Sequence, residues 1–115
     1  MKNTVLKKGT LKHLQKYIDG KIKSRHFDDE SLHERLLLLV EEIGELTKAC
    51  RKISGMNVDT KRKSESNVGE EITDCLNMLF AVGIELGIDI EKEYLKKEAE
   101  VDKRIYERSN SKMKK

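Results

Sequence analysis

The chain is predicted to be all-α, a four-helix bundle-like subunit, and three observations carry the prediction. The 115 residues hold no proline, 4% aromatic residues and 39% charged residues, a composition that suits amphipathic helices packed on one another and leaves little for a sheet. Apolar residues recur at three- and four-residue spacing in four segments. A Thr, Ser, Asn or Asp suited to helix capping stands before each of them.

Taken in order, Thr10 caps a first helix in which Leu11, Leu14, Ile18 and Ile22 recur at helical spacing, with Gly20 as an early end or a kink. After the link Arg25 to Glu30, the run Ser31-Leu32-His33-Glu34 is a capping box, in which the serine hydroxyl serves a backbone amide and the glutamate reaches back. The second helix is expected to run from there to about Ile53 and to stop at Ser54-Gly55. A loop follows over 56–67, carrying Lys61, Arg62 and Lys63. Asn67 with Glu70 repeats the cap pattern before a third helix that is apolar almost all round, from Val68 through Ile72, Cys75, Leu76, Leu79 and Phe80 to Leu86. Such a helix is buried on more than one side, so it is read as the central one, touching a second subunit as well. Gly87 stops it, and Asp89 caps a fourth helix whose inner face is Ile90, Tyr94, Leu95, Ala99 and either Val101 or Ile105.

This is one domain over residues 1–115, with a core at about 10–108 between a basic N-terminal arm and the lysine-rich tail Lys112-Met113-Lys114-Lys115. At that size the core is modest and association with a second copy helps. No apolar run approaches the ~20 residues that span a bilayer, and the start Met1 to Lys8 leads into no apolar signal segment, so a cytoplasmic location is expected. Cys50 and Cys75 both fall on apolar arcs and read as small buried hydrophobes in a reducing compartment. The net charge of +3 is segregated: residues 1–25 carry eight basic residues against Asp19, and residues 28–45 carry seven acids against Arg35. The basic arm reads as a solvated lysine face rather than a nucleic-acid arm.

The most informative feature is a pair of acidic clusters, Glu41-Glu42-Ile43-Gly44-Glu45 and Glu70-Glu71-Ile72-Thr73-Asp74. At 100° per residue Glu42 lies inside the apolar arc of its helix and Glu45 at its edge. Glu71 lies between Met78 and Val82 on the next helix, with Asp74 beside Ala81; Glu70 falls out of the group as a cap residue. Two carboxylates about 4 Å apart repel by roughly 1 kcal/mol in water and roughly 4 kcal/mol at a protein-like dielectric, so either protons or a cation must join them. Oxygen ligands with no Cys or His at matching spacing favour Mg²⁺ or Mn²⁺ over zinc, and Mg²⁺ held by a few carboxylates reaches for substrate phosphates. Helices two and three, joined by one loop, should pack antiparallel. With their ends level, Glu42 and Glu71 are out of step by roughly 10 Å, which boundary shifts of a few residues close, so the two pairs can face each other. Gly44, which costs about 1 kcal/mol in mid-helix, is explained by close approach of a neighbouring backbone.

Glu41-Glu42-x-x-Glu45 followed by Glu71-x-x-Asp74 resembles the EExxE…ExxD signature of the MazG-like all-α nucleoside triphosphate pyrophosphohydrolases. The runs Phe27 to Leu36, Glu45 to Ala49 and Glu91 to Arg108 are similar to that family as well, so the resemblance covers about residues 10–108. It implies a four-helix subunit that forms a homodimer or a dimer of dimers, a homotetramer. It also implies Mg²⁺ held by Glu42, Glu45, Glu71 and Asp74, and hydrolysis of a nucleoside triphosphate between the α and β phosphates to a monophosphate and pyrophosphate. Glu41, adjacent to those ligands, is the candidate acceptor of the water's proton.

Candidates to balance the polyphosphate are Lys48, Arg51 and Lys52, the loop set Lys61, Arg62 and Lys63, and Lys96, Lys103 and Arg104 on the fourth helix. Asp102 stands where the family commonly carries an asparagine. Asn77 continues the Glu71/Asp74 row and is a candidate for bonding base or sugar, and His26 and Phe27 for stacking on or bonding a base. A dUTPase-like or phosphoribosyl-ATP pyrophosphohydrolase-like specificity uses the same scaffold. The competing reading is a non-catalytic helical module that binds protein or nucleic acid and is indifferent to metal.

Overall fold

The computed structural model describes residues 6–60 and 67–109. Lys61, Arg62 and Lys63, the start of the basic arm and the lysine tail lie outside the described residues. Four helices follow in order: α1 (Thr10–Ser24), α2 (Leu32–Ile53), α3 (Val68–Glu85) and α4 (Ile90–Val101). Among the described residues there is no strand, so the all-α prediction holds. No helix there is long and apolar enough to cross a membrane.

The helix starts are chemically legible. Ser31 Oγ accepts from the Glu34 amide at 3.2 Å and Glu34 Oε1 accepts from the Ser31 amide at 3.2 Å, the reciprocal capping box expected. The Ser31 amide first, and then the Ser31 hydroxyl, hold the Glu34 carboxyl below its ordinary range. Asn67 Oδ1 accepts from the Glu70 amide and Asp89 Oδ1 from the Lys92 amide, each at 3.1 Å.

α1 departs from the expectation. Its N-cap is Gly9, with φ 92° and no side-chain cap, while Thr10 is already helical and donates its hydroxyl to the Lys7 carbonyl at 3.0 Å. The cap arrives instead from the far end of the chain: Glu91 Oε1 accepts from the Gly9 amide at 2.8 Å and from the Lys12 amide at 3.3 Å. Gln15 completes the join, donating to the Ile88 carbonyl at 2.8 Å and accepting from the Ile90 amide at 3.0 Å. Gly20 does not end α1, because the helix continues to Ser24.

Two helix ends share one motif with different residues. At the end of α3 the Ile88 amide bonds the Gly83 carbonyl and the Gly87 amide the Ile84 carbonyl, a Schellman turn with Gly87 at φ 69°. At the end of α1 the Phe27 amide bonds the Ile22 carbonyl and the His26 amide the Lys23 carbonyl, but the left-handed residue is His26, at φ 62°. A side chain there costs about 1 kcal/mol. His26→Gly is therefore expected to stabilise the protein by up to about 1 kcal/mol in urea unfolding; a loss of stability would show that the imidazole has a contact of its own.

α3 is central, with α2 packed antiparallel on one side and α1 on another. Along the inner stripe of α2 Arg35 and Ala49 are buried and Leu38, Leu39, Glu42 and Leu46 half-buried; Arg35 bonds Ala81 of α3, and Glu42 meets Glu71 and Asp74. The register differs from level ends: Glu42 sits with Glu71 and Asp74, so the last turns of α2 run past the start of α3, where Ile53 stands 70% exposed. Gly44 has open space around it, so no backbone approaches it. The close approach is at Gly83, where a Cβ would meet Ile90 Cδ1 at 2.8 Å.

α4 is shorter than expected, ending at Val101. Ile105 is 90% exposed, Tyr94 and Ala99 are exposed too, and only Ile90, Leu95 and Val101 of the expected inner face are shielded, because α4 packs mainly on the flank of α1. Cys75 is buried as expected, whereas Cys50 is exposed, and both are free thiols.

Candidate active site

α2 delivers Glu42 to the α2–α3 interface one heptad after Arg35, and the first two turns of α3 deliver Glu71 and Asp74 to the same place. One carboxylate oxygen from each of the three lies within 4.8 Å of the others. Glu42 and Glu71 are half-buried and Asp74 is exposed, so the group opens to solvent on one side. Burial pushes the Glu42 carboxyl above its ordinary range, and the charges of Asp74, Glu71, Glu41 and Glu45 push it further in the same direction. Among the described residues no lysine or arginine is ion-paired to any of the three.

This electrostatic stress fits a cation. Three hard oxygen donors in one opening, without nitrogen or sulfur ligands and without an internal counter-charge, suit Mg²⁺ or Mn²⁺. The Cys75 thiol beside them is pushed up by burial first, then by Glu42, Glu71 and Asp74.

Beside the carboxylates lies a cleft of about 500 Å³ between α1 and α3, within the range of small-molecule sites. Glu42, Asp74 and Asn77 line it from the side of the acids. Tyr17, Lys21, Arg25, Phe27 and Glu30 line it from α1 and the following link. Lys21 lies over the Tyr17 ring, 5.4 Å from its centroid. Phe27 is 50% exposed, a cleft wall and no core residue. The Schellman turn is what puts it there, since Phe27 follows the left-handed residue and so turns back over Ile22.

The remaining sequence candidates are placed less centrally. Glu41 and Glu45 are exposed and neither belongs to the group of three. His26 is exposed and does not line the cleft. Lys48 and Arg51 line a separate hollow of about 240 Å³ at the end of α2, with Lys52, Asn57 and Asp59. Lys103 and Arg104 follow the end of α4, exposed, and line neither opening.

Sequence reasoning missed Tyr17, Lys21, Arg25 and Glu30, because nothing in one sequence tells which face of α1 meets α3. It also passed over Arg35, although a lone cation in a leucine run, seven residues before Glu42, is a visible signal.

Residues 8–113 match the profile of a family described as dUTPase. The chain belongs to this all-α dUTPase family. No curated protein matches it. Membership of the family, part of the all-α NTP pyrophosphatase superfamily, makes the protein a nucleoside triphosphate hydrolase of the pyrophosphatase kind. The expectation from the acidic signature thus holds at the level of reaction class, within the dUTPase branch and not as MazG specifically.

Proposed function

We propose that the protein hydrolyses dUTP to dUMP and pyrophosphate with Mg²⁺, Mn²⁺ being a substitute. The observation that carries this reading is the group of Glu42, Glu71 and Asp74 at the mouth of a nucleotide-sized cleft, in a chain of the dUTPase family.

Glu42, Glu71 and Asp74 would hold the ion, and Glu45, one turn from Glu41 on the exposed edge of α2, is the fourth carboxylate available to it. Bound there, the ion supplies charge neutralisation of the phosphate oxygens and a water of lowered pKa. Glu41 stands next in sequence to Glu42 and in solvent, where it can accept a proton and release it to bulk water. The Asn77 amide, half-buried in the cleft, offers an acceptor oxygen beside an NH₂ donor group, a match to the N–H and a neighbouring carbonyl on the imide edge of uracil. Phe27 and Tyr17 supply apolar faces for the base. Lys21 and Arg25 supply positive charge on the opposite wall.

The subunit also exposes two apolar stripes, Leu36, Val40 and Ile43 on α2 and Ile72, Leu76 and Leu79 on α3. Counted at 100° per residue from the buried stripes of two antiparallel helices, both fall on the same side of the α2–α3 pair. A continuous apolar face of this kind on a small subunit is covered by a second copy, giving a homodimer or a dimer of dimers.

The deciding experiment incubates the protein with each ribo- and deoxyribonucleoside triphosphate and Mg²⁺ and measures pyrophosphate against orthophosphate. dUTP is expected to turn over fastest, with stoichiometric pyrophosphate and none without a divalent ion. Release of orthophosphate alone would sink the reaction proposed, and equal turnover of all bases would sink the dUTP specificity.

A further inference from the structure

Arg35 is 2% exposed, and it touches nothing in the group of three carboxylates. Its Nη1 donates to the Ala81 carbonyl at 2.7 Å and lies 3.4 Å from Glu85 Oε2, and its Nη2 reaches the Phe27 carbonyl at 3.5 Å. Its Nε is buried with no acceptor among the described residues. Burying a guanidinium is poorly rewarded in stability, since an apolar side chain of similar volume often serves as well or better. The best-attested use of such a group is to fix register.

The register in question is that of the site. Arg35 precedes Glu42 by seven residues on α2, and Ala81 follows Asp74 by seven on α3. In an antiparallel pair those two steps cover the same two turns, about 10.5 Å, so the Arg35–Ala81 bond and the Glu42–Asp74 pairing belong to one alignment of the helices. A slip of α2 along α3 breaks both. The repulsion among the acids favours such a slip, and the leucines of α2 slide over apolar neighbours with little preference. Among the described residues the guanidinium bond to Ala81 is the directional one seen against it, and its second arm meets the backbone of Phe27 on the cleft wall.

We propose that Arg35 is a positioning residue: its bond to Ala81 locks the α2–α3 register in which Glu42, Glu71 and Asp74 converge on a divalent ion. This rests on the metal reading of those carboxylates. The test compares full-length wild type and Arg35→Met for Mn²⁺ binding by calorimetry and for urea unfolding without metal. Glu85 is solvent-exposed, so the variant strands no buried charge. Its metal-free stability should equal or exceed that of the wild type, while the Kd for Mn²⁺ rises 10- to 100-fold, as when groups that orient metal ligands are lost. Arg35→Lys, which keeps one donor for Ala81, should fall between the two. Equal Mn²⁺ affinity in wild type and Arg35→Met overturns the proposal and leaves the carboxylate site standing. A variant that unfolds, or loses affinity only in proportion to stability, reduces Arg35 to a packing residue and overturns it too. Absence of Mn²⁺ binding by the wild type overturns the metal reading itself.

Discussion

Glu42→Gln is expected to lower dUTP turnover in saturating Mg²⁺ by roughly 10³-fold, since it removes the proposed charged ligand at the centre of the carboxylate group and with it the placement of the charge that the proposed reaction needs. The same substitution should have the opposite effect on the metal-free fold. The carboxyl of Glu42 is raised in the folded protein, by burial first and then by Asp74, Glu71, Glu41 and Glu45. A raised carboxyl contributes stability that is fully present below its unfolded pKa and is lost as pH rises through the folded value. In chelator, the wild type should therefore lose stability as pH climbs out of the ordinary carboxylate range, and Glu42→Gln should flatten that loss. Mg²⁺ or Mn²⁺ should restore the wild type near neutral pH and leave the variant nearly unmoved. Urea unfolding across pH, with and without metal, reads all of these. A variant that is less stable than wild type at pH 7 in chelator would show that Glu42 has an internal partner and is no strained ligand.

Val40→Asp is the second large effect. Val40 is 67% exposed in the isolated subunit, so an aspartate there changes subunit stability by about 0.5 kcal/mol or less. If the α2–α3 apolar face is covered by another copy, the same carboxylate is buried once from each side of a two-fold contact, without a counter-charge, and costs several kcal/mol. The expected result is a rise of 100-fold or more in the dissociation constant, seen by sedimentation as a fall to the subunit mass of 13.3 kDa. A wild type that already sediments at that mass at micromolar concentration would remove the interface.

Much of this was open to a reader of the sequence, for identifiable reasons. The capping box at Ser31, the Asn67 and Asp89 caps and the stop at Gly87 are local chemistry, so their positions follow from neighbours three residues away. The acidic pairs were visible because carboxylates on an apolar arc contradict their surroundings. What failed was what depends on distant residues. Thr10 looked like a cap because Glu91, the true source of the α1 cap, is invisible at that range. Gly44 seemed to mark a close approach that in fact occurs at Gly83. Cys50 sat on an apolar arc, but the end of α2 overhangs its partner and leaves the thiol in solvent. Glu45, placed with Glu42 by helical phase and by the acidic signature, stands exposed beside the three carboxylates that the register of α2 on α3 brings together. The cleft itself was the least legible part, because its walls come from two helices far apart in sequence.

The bond from the Gly9 amide to Glu91 spans 82 residues of sequence, and this has a bearing on how the protein is made. A chain emerging N-terminus first exposes α1 long before Glu91 and Gln15's partners exist, so the first helix is held without its cap until the last is synthesised. Since α1 carries Tyr17 and Lys21 on the wall of the cleft, that wall gains the support of Glu91 only when the end of the chain has been made. A chain that stops before Glu91 is expected to keep Glu42, Glu71 and Asp74 while the α1 side of the cleft loses its support.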